Sequence, residues 1–186
     1  MEILLNTHHL PCMALRGTKM AAGNTYVAIA TTTVSSSTST VTFSSIPGTY
    51  TDLRLVAQAK CSGTRDLEFR FNDDSATNYS TLWMYNNSNS LGTAKGNNQT
   101  FGYLDWAGAS TDDNYIATVD IMNYSNATTY KTVLNRASRA ATGSDVVVNL
   151  WRSTAAITSI SFSFQHGGAA TIEAGSTFTL YGIAAA

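Results

Sequence analysis

The fold is decided by the stretch IPGTYTDLRLVAQAK (residues 46–60) and by two later phrases, LEFRFNDDSATNYS (residues 67–80) and TFTLYGI (residues 177–183). The first is a Pro-Gly turn that runs into an alternating apolar and polar stretch. The last is an apolar and polar alternation close to the end of the chain. Alternation with a period of two residues is the pattern of a β-strand with one buried face. The stretches over residues 46–60 and 177–183 therefore each predict a β-strand.

The same alternation predicts which side chains form the core. In LEFRF, the apolar side chains take one face, and Glu68 and Arg70 take the other, solvated face. Similar reasoning on four strands predicts eight inward-pointing residues: Leu53, Leu55, Phe69, Phe71, Val148, Leu150, Phe162 and Phe164.

About ten short segments rich in β-branched and aromatic residues follow one another from Tyr26 onward, separated by turn signals. This pattern predicts an all-β protein, an antiparallel β-sandwich that is jelly-roll-like. We expect a β-sandwich domain over residues 25–186 and an irregular N-terminal arm over residues 1–24. The polar stretch over residues 86–99 is interpreted as a surface loop.

The charge content limits the classes of partner. Charged residues make up 12% of the 186 residues, and the formal net charge is −1. A typical globular protein has about twice that share of charged residues. We therefore expect no nucleic-acid partner and no anionic membrane partner. The N-terminus carries Glu2 and a broken apolar stretch, which is not typical of a signal peptide.

The N-terminal segment is apolar enough to dock on a partner, although it is too short to form a domain. Its candidate partner-binding residues are Ile3, Leu4, Leu5, Leu10, Met13 and Leu15. We expect this arm to contact a neighbouring subunit in an assembly, with a passive leader as the alternative.

The two cysteines, Cys12 and Cys61, leave a disulfide open, because sequence alone does not place them within bridging distance. No Cys/His spacing predicts zinc, and we expect no cofactor.

Nothing in the sequence predicts an enzyme. The histidines, His8, His9 and His166, have no neighbouring nucleophile motif. Glu68 and Glu173 are a formal candidate for a glycosidase pair, but the alternation places Glu68 beside Arg70 in a solvated ion pair.

Two acidic turns, NDDSATN (residues 72–78) and STDDNY (residues 110–115), offer the oxygen ligands that Ca²⁺ prefers. The favoured interpretation is an Asx-type turn, in which the side chains bond their own backbone. We therefore predict no metal site.

Five aromatic residues form a separate candidate group: Trp83, Tyr85, Tyr103, Trp106 and Trp151. They are either a stacking platform for sugar or, as the favoured interpretation, part of the core or of a subunit interface.

Four phrases carry a resemblance to a known family: SIPGTYTDL (residues 45–53), RFNDDSATNY (residues 70–79), AITSI (residues 156–160) and TLYGI (residues 179–183). Over residues 26–183 the chain resembles small β-sandwich structural proteins of tailed-bacteriophage virions, including those of cyanophages. The resemblance marks strands and turns, and it carries no active-site residue.

The resemblance implies a virion protein assembled in the host cytoplasm. Our first expectation is a capsid decoration (cement) protein that binds the outer head surface and the major capsid protein, as a homotrimer. The alternative is a tail or fibre component that recognises a host-surface glycan. A carbohydrate-active enzyme or lectin module is a third class, and the lack of paired catalytic carboxylates counts against the enzyme.

Overall fold

The computed structural model describes residues 25–87, 90–106, 114–139, 143–164 and 170–184. These residues form twelve strands and no helix. In chain order the strands are β1 (Tyr26–Thr33), β2 (Thr40–Phe43), β3 (Asp52–Ala59), β4 (Glu68–Phe71), β5 (Tyr79–Asn87), β6 (Ser90–Gln99), β7 (Gly102–Tyr103), β8 (Tyr115–Ile121), β9 (Lys131–Arg139), β10 (Gly143–Trp151), β11 (Ile160–Ser163) and β12 (Thr177–Ile183).

The strands form two packed antiparallel sheets. The larger sheet has the order β1-β12-β3-β8-β9-β10-β5-β6, and the smaller has the order β2-β11-β4-β7. Without the hairpins β5–β6 and β9–β10, two four-stranded sheets remain, with the orders β1-β12-β3-β8 and β2-β11-β4-β7. This strand order is the jelly-roll arrangement. The predicted antiparallel β-sandwich is therefore confirmed. The two hairpins extend one sheet of the jelly roll by four strands.

The Pro-Gly turn and the terminal strand, far apart in sequence, meet in the fold. Strand β3 pairs with β12, with Leu53 opposite Gly182. The ring of Tyr50 lies over Gly182, where a Cβ atom would come within 2.3 Å of the ring. The phrase TLYGI therefore has glycine at residue 182, because the Tyr50 side chain covers the strand at that point.

The core between the sheets contains six of the eight predicted residues: Leu53, Leu55, Phe69, Phe71, Phe162 and Phe164. The prediction is wrong for Val148 and Leu150, which are half-buried on the outer face of β10. The inner face of β10 carries Asp145, Val147, Asn149 and Trp151 instead. Hydrogen bonds make this half-polar inner face stable, as shown below.

The prediction of a surface loop over residues 86–99 is wrong. Residues Ser90–Gln99 are strand β6, which pairs along β5 at the edge of the larger sheet. The sequence SLGTAKGNNQ has few β-branched residues, so its strand propensity is low. Pairing with β5 decides its conformation, because the antiparallel partner supplies backbone hydrogen bonds along β6 up to an irregularity between Gly96 and Gln99.

The prediction of a solvated ion pair between Glu68 and Arg70 is also wrong. Glu68 is only 3% exposed, although Phe69 on the opposite face is buried as well. Strand β4 lies inside the smaller sheet, and Glu68 is opposite Tyr103 of β7. Arg70 instead donates a hydrogen bond to the Thr100 carbonyl. A period-2 pattern cannot distinguish a solvated face from one covered by other parts of the chain.

Candidate functional site

An aromatic cluster lies where β5, β6 and the segment after β7 meet. The Trp83 ring lies 5.0 Å from Tyr103 and 5.2 Å from Trp106, measured between ring centroids. Tyr85 stacks on Trp106 at 5.1 Å with an interplanar angle of 16°. Four of the five aromatic residues singled out from the sequence are therefore brought together. The fifth, Trp151, is buried in the main core.

Alternation along β5 and small residues on β6 create the space for this cluster. Trp83 and Tyr85 lie on the inner side of β5, and their partners on β6 are Ala94 and Gly92. A Cβ atom at Gly92 would lie 2.4 Å from the Tyr85 ring. Glycine is therefore required here by the close approach of the ring.

A cavity of about 490 Å³ opens beside the cluster. Its aromatic wall consists of Trp83, Tyr103 and Trp106, and Trp106 is 40% exposed. Its polar side chains are Asp66 and Gln99, and the strand β6 residues Ala94, Lys95 and Gly96 complete the lining. An apolar or aromatic wall with a few polar groups is the usual composition of a small-molecule site.

Asn149 anchors the aromatic wall to the larger sheet. Its Nδ2 donates to the Tyr103 carbonyl at 2.8 Å, and its Oδ1 accepts from the Tyr103 amide at 3.0 Å. The Asn135 side chain adds a donor to the same carbonyl at 2.7 Å. Thr81 lies 2.7 Å from Asn149 Oδ1. The buried amide of Asn149 therefore pairs with β7 much as a neighbouring backbone would.

Buried acidic residues support the same corner. Asp105 is fully buried, and its Oδ1 accepts the Leu67 amide. Asp145 Oδ2 accepts the Trp106 amide at 3.0 Å. Burial raises the pKa of the Asp105 carboxyl well above its ordinary value, and the charges of Asp66 and Asp145 raise that pKa further. The surroundings of Asp105 therefore favour the protonated, neutral form of its carboxyl group.

We expect Asp105→Asn to raise the free energy of unfolding at pH 7 more than at pH 4. A raised native pKa makes the contribution of Asp105 to stability greatest below the unfolded-state pKa, and that contribution is lost as the pH rises through the native pKa. Asparagine keeps an oxygen acceptor for Leu67 and does not titrate. Urea unfolding from pH 4 to pH 7 measures the difference.

Asp73→Asn is the matched control for this experiment, because Asp73 is exposed. Its φ of 54° suits asparagine, and an exposed side chain has no burial cost for asparagine to remove. A difference between Asp105→Asn and wild type that does not change with pH would contradict the burial argument.

The acidic turn at residues 72–78 has the hydrogen bonds of an Asx turn, as predicted. Asp74 Oδ1 accepts the Ala76 amide, and Oδ2 accepts from Asn78 Nδ2 and Trp151 Nε1. Partial burial raises the Asp74 pKa, but these hydrogen bonds outweigh it and the net shift is downward. The carboxylate is therefore used to close the turn and to hold Trp151.

The outer face of the larger sheet is apolar over β10 and β5. Leu82 and Met84 are each 48% exposed and lie opposite Val148 and Val146. Two grooves, of about 580 and 230 Å³, follow this face. This surface was not predicted from the sequence, because Val148 was assigned to the core and residues 86–99 to a loop. Predicting the exposed patch would have required knowing which residues of β10 point outward.

Several predicted residues lie outside the described part of the chain. They are the arm residues Ile3, Leu4, Leu5, Leu10, Met13 and Leu15, all three histidines, Cys12, and residues 110–113 of the second acidic turn.

Cys61 is described, and burial raises the pKa of its thiol. Glu173 is half-buried and accepts hydrogen bonds from the Ser37 and Thr171 hydroxyls. Its use as a partner of Glu68 in catalysis has no structural support in these contacts.

Comparison with known proteins finds no family model and no curated protein that matches this chain. The resemblance to phage virion proteins therefore stays a prediction. Within the described ranges, no group of three or more His, Cys, Asp or Glu side chains is arranged to hold a metal ion. A membrane-spanning helix is likewise absent from that part of the chain.

Proposed function

We propose that this protein is a structural protein of a bacteriophage virion, a capsid decoration (cement) protein that binds the outer surface of the head as a homotrimer. The observation that supports this best is the apolar outer face of β10 and β5. A surface of this kind on a sandwich domain suits permanent packing against another subunit.

The side chains on this face are adjacent and not scattered. Val146 lies opposite Met84, and Val148 lies opposite Leu82 in the next register pair on the same face. Single exposed apolar residues are ordinary on a protein surface, whereas contiguous ones mark interaction sites. Arg136 and Lys95 lie beside this patch, opposite Val146 and Leu82. An apolar centre with polar residues at its rim is the composition of a subunit interface.

The low charge of the chain supports the same proposal. With 11 Lys and Arg residues against 12 Asp and Glu residues, copies of the chain repel each other little. Strand β6 is also an edge strand of the larger sheet. An edge with free backbone groups must be blunted or covered, and neighbouring subunits in a shell would cover it.

Heads that lack this protein, mixed with purified protein, test the proposal. We expect saturable binding with hundreds of copies per head. Leu82→Lys should weaken this binding at least about tenfold, because it places a charge in an apolar contact. Head-bound protein is measured by co-sedimentation and gel densitometry.

Val56→Lys is the matched control. Val56 is 41% exposed on the same face of the same sheet, but its cross-strand neighbours are Thr118 and Thr179. It should bind heads as the wild type does. Equal binding by Leu82→Lys and wild type would contradict the proposed interface, and a few copies on the tail in place of hundreds on the head would contradict decoration.

The second candidate is a tail or fibre component that recognises a host-surface glycan. The exposed aromatic wall beside Trp106 is the observation that favours it. Copy number per particle separates the two candidates.

A further inference from the structure

We propose that the cavity beside Trp106 is a binding site for a neutral glycan. A pyranose ring would lie on the exposed side of Trp106, and its hydroxyls would hydrogen-bond to the side chains of Asp66 and Gln99 in the lining. The proposal concerns a surface other than the apolar face of β10 and β5, and it holds for a head protein as well as for a tail protein.

The aromatic wall is built to present one ring. Trp106 is stacked on Tyr85 from one side and meets Trp83 edge-on, yet it remains 40% exposed. The Trp106 amide is fixed to Asp145. Holding an indole in place before binding lowers the entropy cost of association. A pyranose ring has a C–H face that packs on an aromatic face and a rim of hydroxyls that needs hydrogen bonds, which matches this wall and lining.

The polar lining is also positioned by the fold. Gln99 packs over Gly96, where a Cβ atom would lie 2.5 Å from the side-chain amide nitrogen. Its Oε1 lies 3.2 Å from the Thr81 hydroxyl. A carboxylate and an amide together can accept from and donate to vicinal hydroxyls. The hydroxyls of a sugar use both kinds of partner, because each donates and accepts.

The acidic surroundings favour a neutral sugar over an anionic one. Asp66 lines the cavity, and Asp145 lies behind the aromatic wall, where it holds the Trp106 amide. The same charges disfavour a stacked nucleotide, because single-stranded nucleic acid is bound by positively charged grooves. Sialylated and uronic-acid glycans should therefore bind less well than uncharged ones.

The test is an array of neutral and acidic bacterial and plant oligosaccharides, followed by titration of the best neutral binder using tryptophan fluorescence. Trp83 and Trp106 both line the site, so binding should change the emission. Trp106→Ala should weaken the affinity at least about tenfold, since it removes the stacking surface. Trp106→Phe keeps a ring and should lose less.

Tyr130→Ala is the matched control, because Tyr130 is an aromatic residue 55% exposed at a different place on the chain. It should bind as the wild type does. No bound glycan on the array, a preference for acidic glycans, or equal affinity of Trp106→Ala and wild type would each overturn the proposal. Thermal unfolding of each variant shows that it is folded. Head binding is a separate measurement, so failure here leaves the decoration proposal standing.

Discussion

Phe71→Ala should lower the free energy of unfolding by about 3–5 kcal/mol, the usual cost of removing a buried phenylalanine ring. Phe71 is fully buried on β4, between the two sheets. Its ring lies 4.8 Å from Phe69, 5.4 Å from Trp151 and 6.5 Å from Tyr79, measured between centroids. These neighbours come from three strands of both sheets. The cavity left by alanine could not close without moving the sheets relative to each other.

Urea unfolding followed by far-UV circular dichroism measures this change. Val148→Ala is the informative control, because the sequence pattern predicted it as a core residue and the structure places it half-buried on the outer face. We expect a cost below about 1 kcal/mol there, since little apolar area leaves water at an outer position. Equal costs for the two variants would show that the face of β10 is assigned wrongly.

Strand alternation predicted the core correctly wherever one face of a strand was clearly more apolar. Leu53 and Leu55 of β3 and Phe69 and Phe71 of β4 are examples. For β10 the pattern misled, because DVVVNLW has apolar residues on both faces. The inner face includes Asn149, whose burial depends on hydrogen bonds to Tyr103. Polar partners far away in sequence cannot be found from a local period.

The candidate site was predictable only in its residue types. Trp83, Tyr85, Tyr103 and Trp106 stood out as aromatic residues, but the sequence did not separate them from Trp151, which lies in the main core. What distinguishes the four clustered residues from Trp151 is their position beside β6, a segment that was interpreted as a loop. Pairing of β6 with β5 forms the wall of the cavity, and this pairing is a tertiary effect that overrides weak strand propensity.

Asn149→Leu should lower the free energy of unfolding by about 2–5 kcal/mol. The substitution nearly preserves volume, but it leaves both backbone groups of Tyr103 without the Asn149 amide. Each buried polar group that loses its partner costs about 1–3 kcal/mol. Tyr103 N–H loses the Asn149 acceptor, and Tyr103 C=O keeps only the Asn135 donor. The largest part of the expected loss in stability therefore comes from the Tyr103 N–H group, which is left without an acceptor.

Asn135→Leu gives the comparison that tests this reasoning. It removes one of the two donors to the Tyr103 carbonyl and leaves the Tyr103 amide bonded to Asn149. It also removes Asn135 Oδ1, a buried oxygen that accepts no hydrogen bond from the described residues. The cost should therefore be clearly smaller than for Asn149→Leu. Near-UV circular dichroism should also change more in Asn149→Leu, because Tyr103 packs on Trp83 at 5.0 Å. If Asn135→Leu were the more damaging of the two, the link between Asn149 and the β7 backbone would not be what holds the aromatic wall to the larger sheet.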